Sequence, residues 1–222
     1  MKYALVMLVF NELEGLKVIL PRIKKDWLDE IVIIDGGSQD GSIEYAQSLG
    51  FSVTPQKEKG LIAGIREGIE ATKSDVIIGF TPDNNMIPEK IPELIKKMDE
   101  GYDMVIVSRY LAGAKSYDDT IVSSFGNWLF TKLVNVLFRT KYTDVLGYFR
   151  AYRKDLLKEL DISEIVLSID TLLCIRCKKF NKRVAEIPGD EPPRIGGKSS
   201  RSIIGNGVIE LKTILSEFIN QQ

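Results

Sequence analysis

No histidine occurs in the 222 residues of this chain. That removes the commonest general base and every imidazole metal ligand, so proton transfer falls to Asp, Glu, Lys or Tyr. Zinc chemistry recedes with it, and an oxygen-ligated Mg²⁺ or Mn²⁺ becomes the metal to look for. An excess of either charge is lacking too: 30 Lys and Arg face 31 Asp and Glu, a net of −1. A chain so balanced has no global attraction for nucleic acid, and any basic site must be local. Cysteine is scarce, and the two present, Cys174 and Cys177, form a CxxC spacing. With no second pair and no histidine, it reads as two small residues within a helix, compatible with a reducing cytosol. No secretory signal is visible, because the apolar run from Tyr3 to Phe10 is short and stops at Asn11-Glu12. The longest mostly apolar run, Ile121 to Phe138, is interrupted by Ser123, Ser124, Asn127, Lys132 and Asn135, and is not read as a membrane span. The expected location is cytoplasmic.

What is present is a rhythm. Residues 3–9 read as a buried strand, and Leu13, Leu16, Leu20 and Ile23 give one apolar helical face after it. Glu30 to Ile34 reads as a second strand, 51–54 as a third, Val76 to Phe80 as a fourth and Met104 to Val107 as a fifth, with helices expected after Gly60 and from Pro88. Beyond Ser108 the pattern predicts a helix over Phe125 to Phe138, a short strand over Tyr148 to Tyr152, a helix over Ile169 to Lys179, a strand over Val184 to Ile187 and a terminal helix over Ile203 to Phe218. Alternation of this kind implies an α/β domain with a mostly parallel sheet covered on both faces. Ligands of such sheets collect beyond the carboxyl ends of the strands. Three of those ends are polar here: Asn11-Glu12, Asp35 to Asp40, and Asp83 to Asn85. One domain over 1–222 is expected, with a ligand-binding half (1–107), a second half with a closing loop (108–202) and an amphipathic helix (203–222).

Three segments carry candidate chemistry. Asp83-Asn84-Asn85 follows a strand and is flanked by Pro82 and Pro88, which places several hard oxygens within one turn; the plainer reading is an Asx turn before a helix. Asp35-Gly36-Gly37-Ser38-Gln39-Asp40-Gly41 is a glycine-rich turn whose aspartate can accept from a ribose or a base and whose following helix start favours anions; it also reads as a capped helix. Arg194 to Arg201 is a loop with Arg194, Lys198 and Arg201, able to fold over a diphosphate or to serve as a solvated linker.

In their order these pieces resemble the family-2 GT-A glycosyltransferases, particularly the dolichol-phosphate mannose synthase-like branch, over nearly the whole chain. The matching residues are Phe10-Asn11-Glu12, Asp35 to Ser42, Lys59-Gly60-Leu61 with Arg66 and Gly68, Asp83 with Pro88 to Leu94, Ser108-Arg109-Tyr110, Thr143-Asp144 with Gly147 to Arg153, and Glu186-Ile187-Pro188 followed by Arg194 and Gly197-Lys198-Ser199. The resemblance implies an inverting transferase of the GT-A fold. Its donor would be a nucleoside-diphosphate sugar such as GDP-mannose or a UDP-hexose, held by Phe10, Asn11, Glu12, Asp35, Gly60, Arg66, Arg194 and Lys198. It implies Mg²⁺ or Mn²⁺ on Asp83 and Asn85, and a polyprenyl-phosphate acceptor positioned by Arg109, with Asp144 as a catalytic candidate. The chain departs from the family at Leu8, where Pro is usual, at Gly36, where a second aspartate is usual, and at Thr81, which replaces the first aspartate of the Asp-x-Asp metal motif. A second arginine after Ser108-Arg109-Tyr110 is missing, Lys115 being the nearest cation.

Alternatives follow from the same residues. A hydroxyl acceptor needs a carboxylate base, with Asp144 or Asp170 as candidates. A degenerate, non-catalytic domain is a further reading, whereas a sugar-nucleotide pyrophosphorylase would carry Gly-x-Gly-x-Arg after the first strand, where this chain has Phe10-Asn11-Glu12-Leu13. The apolar face of the last helix, Ile204, Val208, Leu211, Leu215 and Phe218, fits docking on the domain, pairing with another subunit, or peripheral contact with a membrane.

Overall fold

The computed structural model describes residues 1–196 and 203–220. Seven strands form one sheet in the order β3-β2-β1-β4-β6-β5-β7: β1 (Tyr3–Val9), β2 (Glu30–Asp35), β3 (Val53–Pro55), β4 (Val76–Phe80), β5 (Met104–Ser108), β6 (Arg150–Arg153) and β7 (Val184–Pro188). Only β6 runs antiparallel to its neighbours β4 and β5. The parallel registers Val9↔Asp35, Asp35↔Pro55, Met7↔Phe80 and Ser108↔Pro188 bring the carboxyl ends of the other six strands to one edge.

Period-two alternation decides the two faces. Tyr3, Leu5, Met7 and Val9 point into one core with α1 (Leu13–Ile19), α2 (Ser42–Ser48) and α4 (Ile91–Asp99). Val6, Ile77, Met104 and Ile106 point into the other with α3 (Leu61–Ala71), α5 (Ile121–Phe138), α6 (Leu156–Glu159) and α7 (Ile169–Lys179). Two glycines set how closely helices approach. A Cβ on Gly68 would stand 2.4 Å from Val6 Cγ1, so α3 lies directly on β1. A Cβ on Gly15 would stand 2.1 Å from the Pro82 carbonyl oxygen, so the start of α1 abuts the turn after β4.

Several element boundaries differ from the sequence expectation. α5 begins at Ile121 rather than Phe125, because Thr120 and Ser123 form a reciprocal capping box. A serine at the third position hides that box from the usual Glu or Gln signature. β3 starts at Val53, since Phe51 instead closes α2 by donating its N–H to the Ala46 carbonyl. The single turn α6 is absent from the expected elements.

The last helix, α8 (Ile203–Ile219), docks by a face other than its apolar one. Ile214 is fully buried, Glu217 meets Arg176 at 2.9 Å and Lys179 at 2.8 Å, and Thr213 and Ser168 hydroxyls are 2.6 Å apart. Ion pairs and one apolar anchor therefore fix its rotation, and Ile204, Val208, Leu211 and Leu215 are left exposed. Phe218 is as exposed as Leu211 yet meets Phe138 edge-on, and Gly207 faces Phe130, so α8 lies beside α5. On α5, Ile121, Val122, Phe125, Trp128 and Val136 are exposed as well. By length and composition alone α5 is long and apolar enough to cross a membrane. Its Thr131, Val134 and Phe138 are nonetheless packed into the domain.

Candidate active site

The glycine-rich turn after β2 and the turn after β1 are interlocked. Asn11, at φ 55°, donates its N–H to Ser38 Oγ and accepts the Gln39 N–H on Oδ1, both at 2.9 Å. Glu12 N–H donates to Ser42 Oγ, and Leu13 N–H to Asp40 Oδ2, both at 3.0 Å. Asp40 thus caps α1 from the neighbouring turn while also accepting from Ser42. Burial pushes the Asp40 carboxyl up, but the Ser42 hydroxyl and the backbone donors outweigh it and hold the group below the usual range. Asp35 is buried and accepts from the Gly37 and Ser38 N–H groups at 2.8 and 3.0 Å, so its carboxylate shapes its own turn. Much of this motif builds the crevice wall rather than facing a ligand. Phe10 covers Gly36 and stays 61% exposed. Gly60, at φ 107°, starts α3 at the rim, and the Gln56 amide donates to its carbonyl at 2.6 Å. Arg66 does not join the crevice; it pairs with Glu58 at 2.7 Å on the exposed side of α3.

Opposite this wall lies the turn after β4. Asp83 is almost completely buried. Its Oδ1 accepts from Thr81 Oγ1 at 2.9 Å and from the Asn85 N–H at 3.3 Å, and its Oδ2 faces Arg194 at 2.8 Å. The strap 193–196 crosses over it, with Ile195 N–H on the Asp83 carbonyl and Asn84 Nδ2 on the Pro193 carbonyl, both at 2.9 Å. Lys198 lies outside the described residues. Two oxygens here are buried without a hydrogen-bond partner, Asn85 Oδ1 and Glu12 Oε2. Uncompensated buried oxygens are costly, and a hard cation suits them. Among the described residues no group of three His, Cys, Asp or Glu is placed to hold a metal unaided.

Burial, then the neighbouring Asp83 carboxylate, pushes the Glu12 carboxyl from 4.5 up to about 7, against an opposing pull from Arg194. An acid whose pKa rises on folding keeps a proton that the unfolded chain has released, so stability falls as pH climbs from the ordinary value to the raised one. The ligand-free protein is therefore expected to lose melting temperature between pH 5 and pH 8, and Glu12→Gln to flatten that slope. Melting curves across this range check it; an unchanged slope in the variant would remove Glu12 as the cause.

At the end of β5, Arg109 Nε and Nη2 engage Asp144 at 2.7 and 3.0 Å, while Nη1 meets Glu191 only at 3.4 Å. Asp144 is fully buried and also accepts the Leu146 and Gly147 N–H groups. Arg150, itself buried, donates to the Val145 and Gly147 carbonyls and pairs with Asp170 at 3.3 Å, which fixes the turn that carries Asp144. Glu186 accepts from Thr143 and from the Asp144 N–H, and burial raises its pKa. Cys174 and Cys177 are free and buried in α7, and burial pushes the Cys174 thiol up to about 12. The sequence reading missed Asp118 and Glu191, and gave Glu186 no role of its own. Glu191 meets Ser116 across 75 positions, and nothing local in the sequence signals such a contact.

A mostly parallel sheet whose polar carboxyl edge gathers Asn11, Glu12, Asp83, Arg109 and Arg194 is the architecture of a GT-A glycosyltransferase. Comparison with known proteins agrees: the profile of Glycosyl transferase family 2 matches residues 4–161, and the chain belongs to that family. It is 26% identical to an undecaprenyl-phosphate mannosyltransferase of Micrococcus luteus, over 95% of this chain and 93% of the relative. It is 27% identical to a dolichyl-phosphate hexose transferase of Haloferax volcanii, over 93% of this chain and 90% of the relative. Among solved structures, glucosyl-3-phosphoglycerate synthase from Mycobacterium tuberculosis, in complex with Mn²⁺, UDP and phosphoglyceric acid, superimposes with a TM-score of 0.74 at 18% identity, covering 98% of this chain and 78% of that one.

Proposed function

We propose that this glycosyltransferase moves a hexose from a nucleoside-diphosphate sugar, GDP-mannose or a UDP-hexose, to a polyprenyl phosphate with inversion at the sugar carbon. The observation that carries the acceptor is the state of the acceptor-side carboxylates. Asp144 is fully buried and saturated by Arg109 and backbone donors, and Glu191 accepts from Arg109, Ser116 and Asn85. Neither is free to deprotonate a hydroxyl, whereas a phosphate monoester arrives already ionised and needs no base. The names of the Micrococcus and Haloferax relatives support the same acceptor class.

In this reading Phe10, Asn11, Glu12 and Gly60 line the base and ribose end, and Asp35 holds the shape of that wall. Asp83 and Asn85 would hold Mg²⁺ or Mn²⁺, which supplies charge stabilisation to the leaving diphosphate when bound. Arg194 leaves Asp83 to meet the diphosphate and, with Lys198, closes the strap over it and excludes water. Arg109 presents Nη1, its least engaged arm, to the acceptor phosphate, and Asp144 keeps the guanidinium in place. Asp144 is then a positioning group and not a base, and Asp170 belongs to the buried pair with Arg150.

The exposed apolar residues of α5 and α8 would rest on the cytoplasmic face of a membrane, where such an acceptor resides. Vesicles carrying a polyprenyl phosphate are expected to receive sugar in the presence of Mn²⁺, and vesicles carrying the corresponding polyprenol are not. The double variant Phe125→Glu, Val208→Glu is expected to lower transfer at the vesicle about tenfold and to leave the thermal shift produced by UDP or GDP unchanged. Equal transfer to polyprenol would overturn the acceptor assignment, and full activity of the variant would overturn the membrane contact.

A further inference from the structure

Asn85 has one donor end and one acceptor end, and only one of its two amide orientations leaves the oxygen toward a cation. Its Nδ2 donates to Asp118 Oδ2 at 2.8 Å and approaches Glu191 Oε1 at 3.4 Å. Its Oδ1 is buried and has no partner. Turning the amide over would set Oδ1 against two carboxylates and strand the NH₂ group, so the two acids specify the orientation. We infer that Asp118 and Glu191 are positioning residues of the metal site, which lock the Asn85 amide with its oxygen turned away from them as a ligand for Mg²⁺ or Mn²⁺. The inference rests on the proposed metal role of Asp83 and Asn85.

The arrangement follows from the deficit in the metal motif. With Thr81 in place of an aspartate, a neutral amide has to serve beside a single carboxylate, and an amide binds a hard cation only through its oxygen. Ligand orientation by an outer carboxylate is well established for histidine and changes metal affinity 10- to 100-fold when removed. Asp118 and Glu191 come from different segments, the stretch before α5 and the one after β7, and the Ser116↔Glu191 bridge ties these together. Glu191 also touches Arg109 through its Nη1, so the residue that orients the amide is in contact with the acceptor-side cation.

Mn²⁺ affinity in the presence of UDP or GDP, followed by the loss of the free Mn²⁺ electron paramagnetic resonance signal, tests this without any turnover. Asp118→Ala with Glu191→Gln is expected to weaken Mn²⁺ binding about tenfold. The same pair of changes is then made in an Asn85→Asp background, where both side-chain oxygens can ligate and no orientation needs fixing. There Asp118 and Glu191 have no amide to orient and repel the new carboxylate, and their removal is expected to leave Mn²⁺ affinity unchanged or raise it. An equal loss in both backgrounds means that the two acids act through their charge or through the contact of Asp118 with Arg194, and the inference fails. Asn85→Ala separates the levels: if it leaves Mn²⁺ binding at the wild-type value, the metal reading itself fails; if it weakens binding while the Asp118 and Glu191 variants do not, only the inference fails.

Discussion

Asp83→Asn is expected to reduce kcat/KM about 1,000-fold, on the order of 4 kcal/mol of transition-state stabilisation, with little change in melting temperature. The isosteric amide keeps an oxygen for the Thr81 hydroxyl and the Asn85 N–H, so the turn persists. What disappears is the negative charge on the side that faces Arg194. Because Thr81 stands where the family carries an aspartate, no second carboxylate of the motif compensates. Initial rates of sugar transfer at saturating Mn²⁺, beside melting curves of both proteins, provide the check. A variant with more than about a tenth of wild-type turnover would refute the single-carboxylate site.

Asp144→Asn is expected to be strongly destabilising. It leaves the Arg109 guanidinium charged and without its bidentate partner, and breaking one side of a buried pair costs about 3–5 kcal/mol. In a chain of this length that corresponds to a fall in melting temperature of roughly 10 °C. Burial pushes the Asp144 carboxyl up, but the charge and hydrogen bonds of Arg109 outweigh it and hold the group below the usual carboxylate range. An acid depressed on folding contributes its full stability above the unfolded value and loses it as pH falls through the folded one. The gap between wild type and variant is therefore expected to be constant from pH 5 to 8 and to begin narrowing only below about pH 4. Thermal unfolding at pH 7 and pH 3 measures both; a gap under about 1 kcal/mol at pH 7 would show that Arg109 finds another partner.

The sheet was legible because its strands are short, β-branched and separated by turn residues, and because period two and period 3.6 are local signals. The polar strand ends were legible for the same reason, so Asn11, Glu12, Asp35 and Asp83 are recognisable as neighbours from the sequence alone. The roles of Asp35 and Asp144 were not readable. Whether a carboxylate faces a ligand or its own turn depends on the backbone conformation of that turn and, for Asp144, on Arg109 35 positions away, and neither is given by residue type. The same limit applies to Asp118 and Glu191, which reach Asn85 across 33 and 106 positions. For α8 the apolar stripe left docking, pairing and membrane contact open, and what turns most of it outward is Glu217 with its two cationic partners on α7, which no local pattern signals.

The interlock of Asn11, Ser38, Asp40 and Ser42 has a bearing on how such chains diverge. Asn11 loses an acceptor if Ser38 is replaced, and α1 loses its cap if Asp40 is replaced, although the partners lie 27 positions apart. Each of these contacts across the two turns runs from a side chain to a backbone N–H, which any residue but proline supplies, so each position is constrained by itself. Asn11 and Ser38 are then expected to vary little and independently through related sequences, and Asp40 and Ser42, whose side chains meet, to be exchanged together.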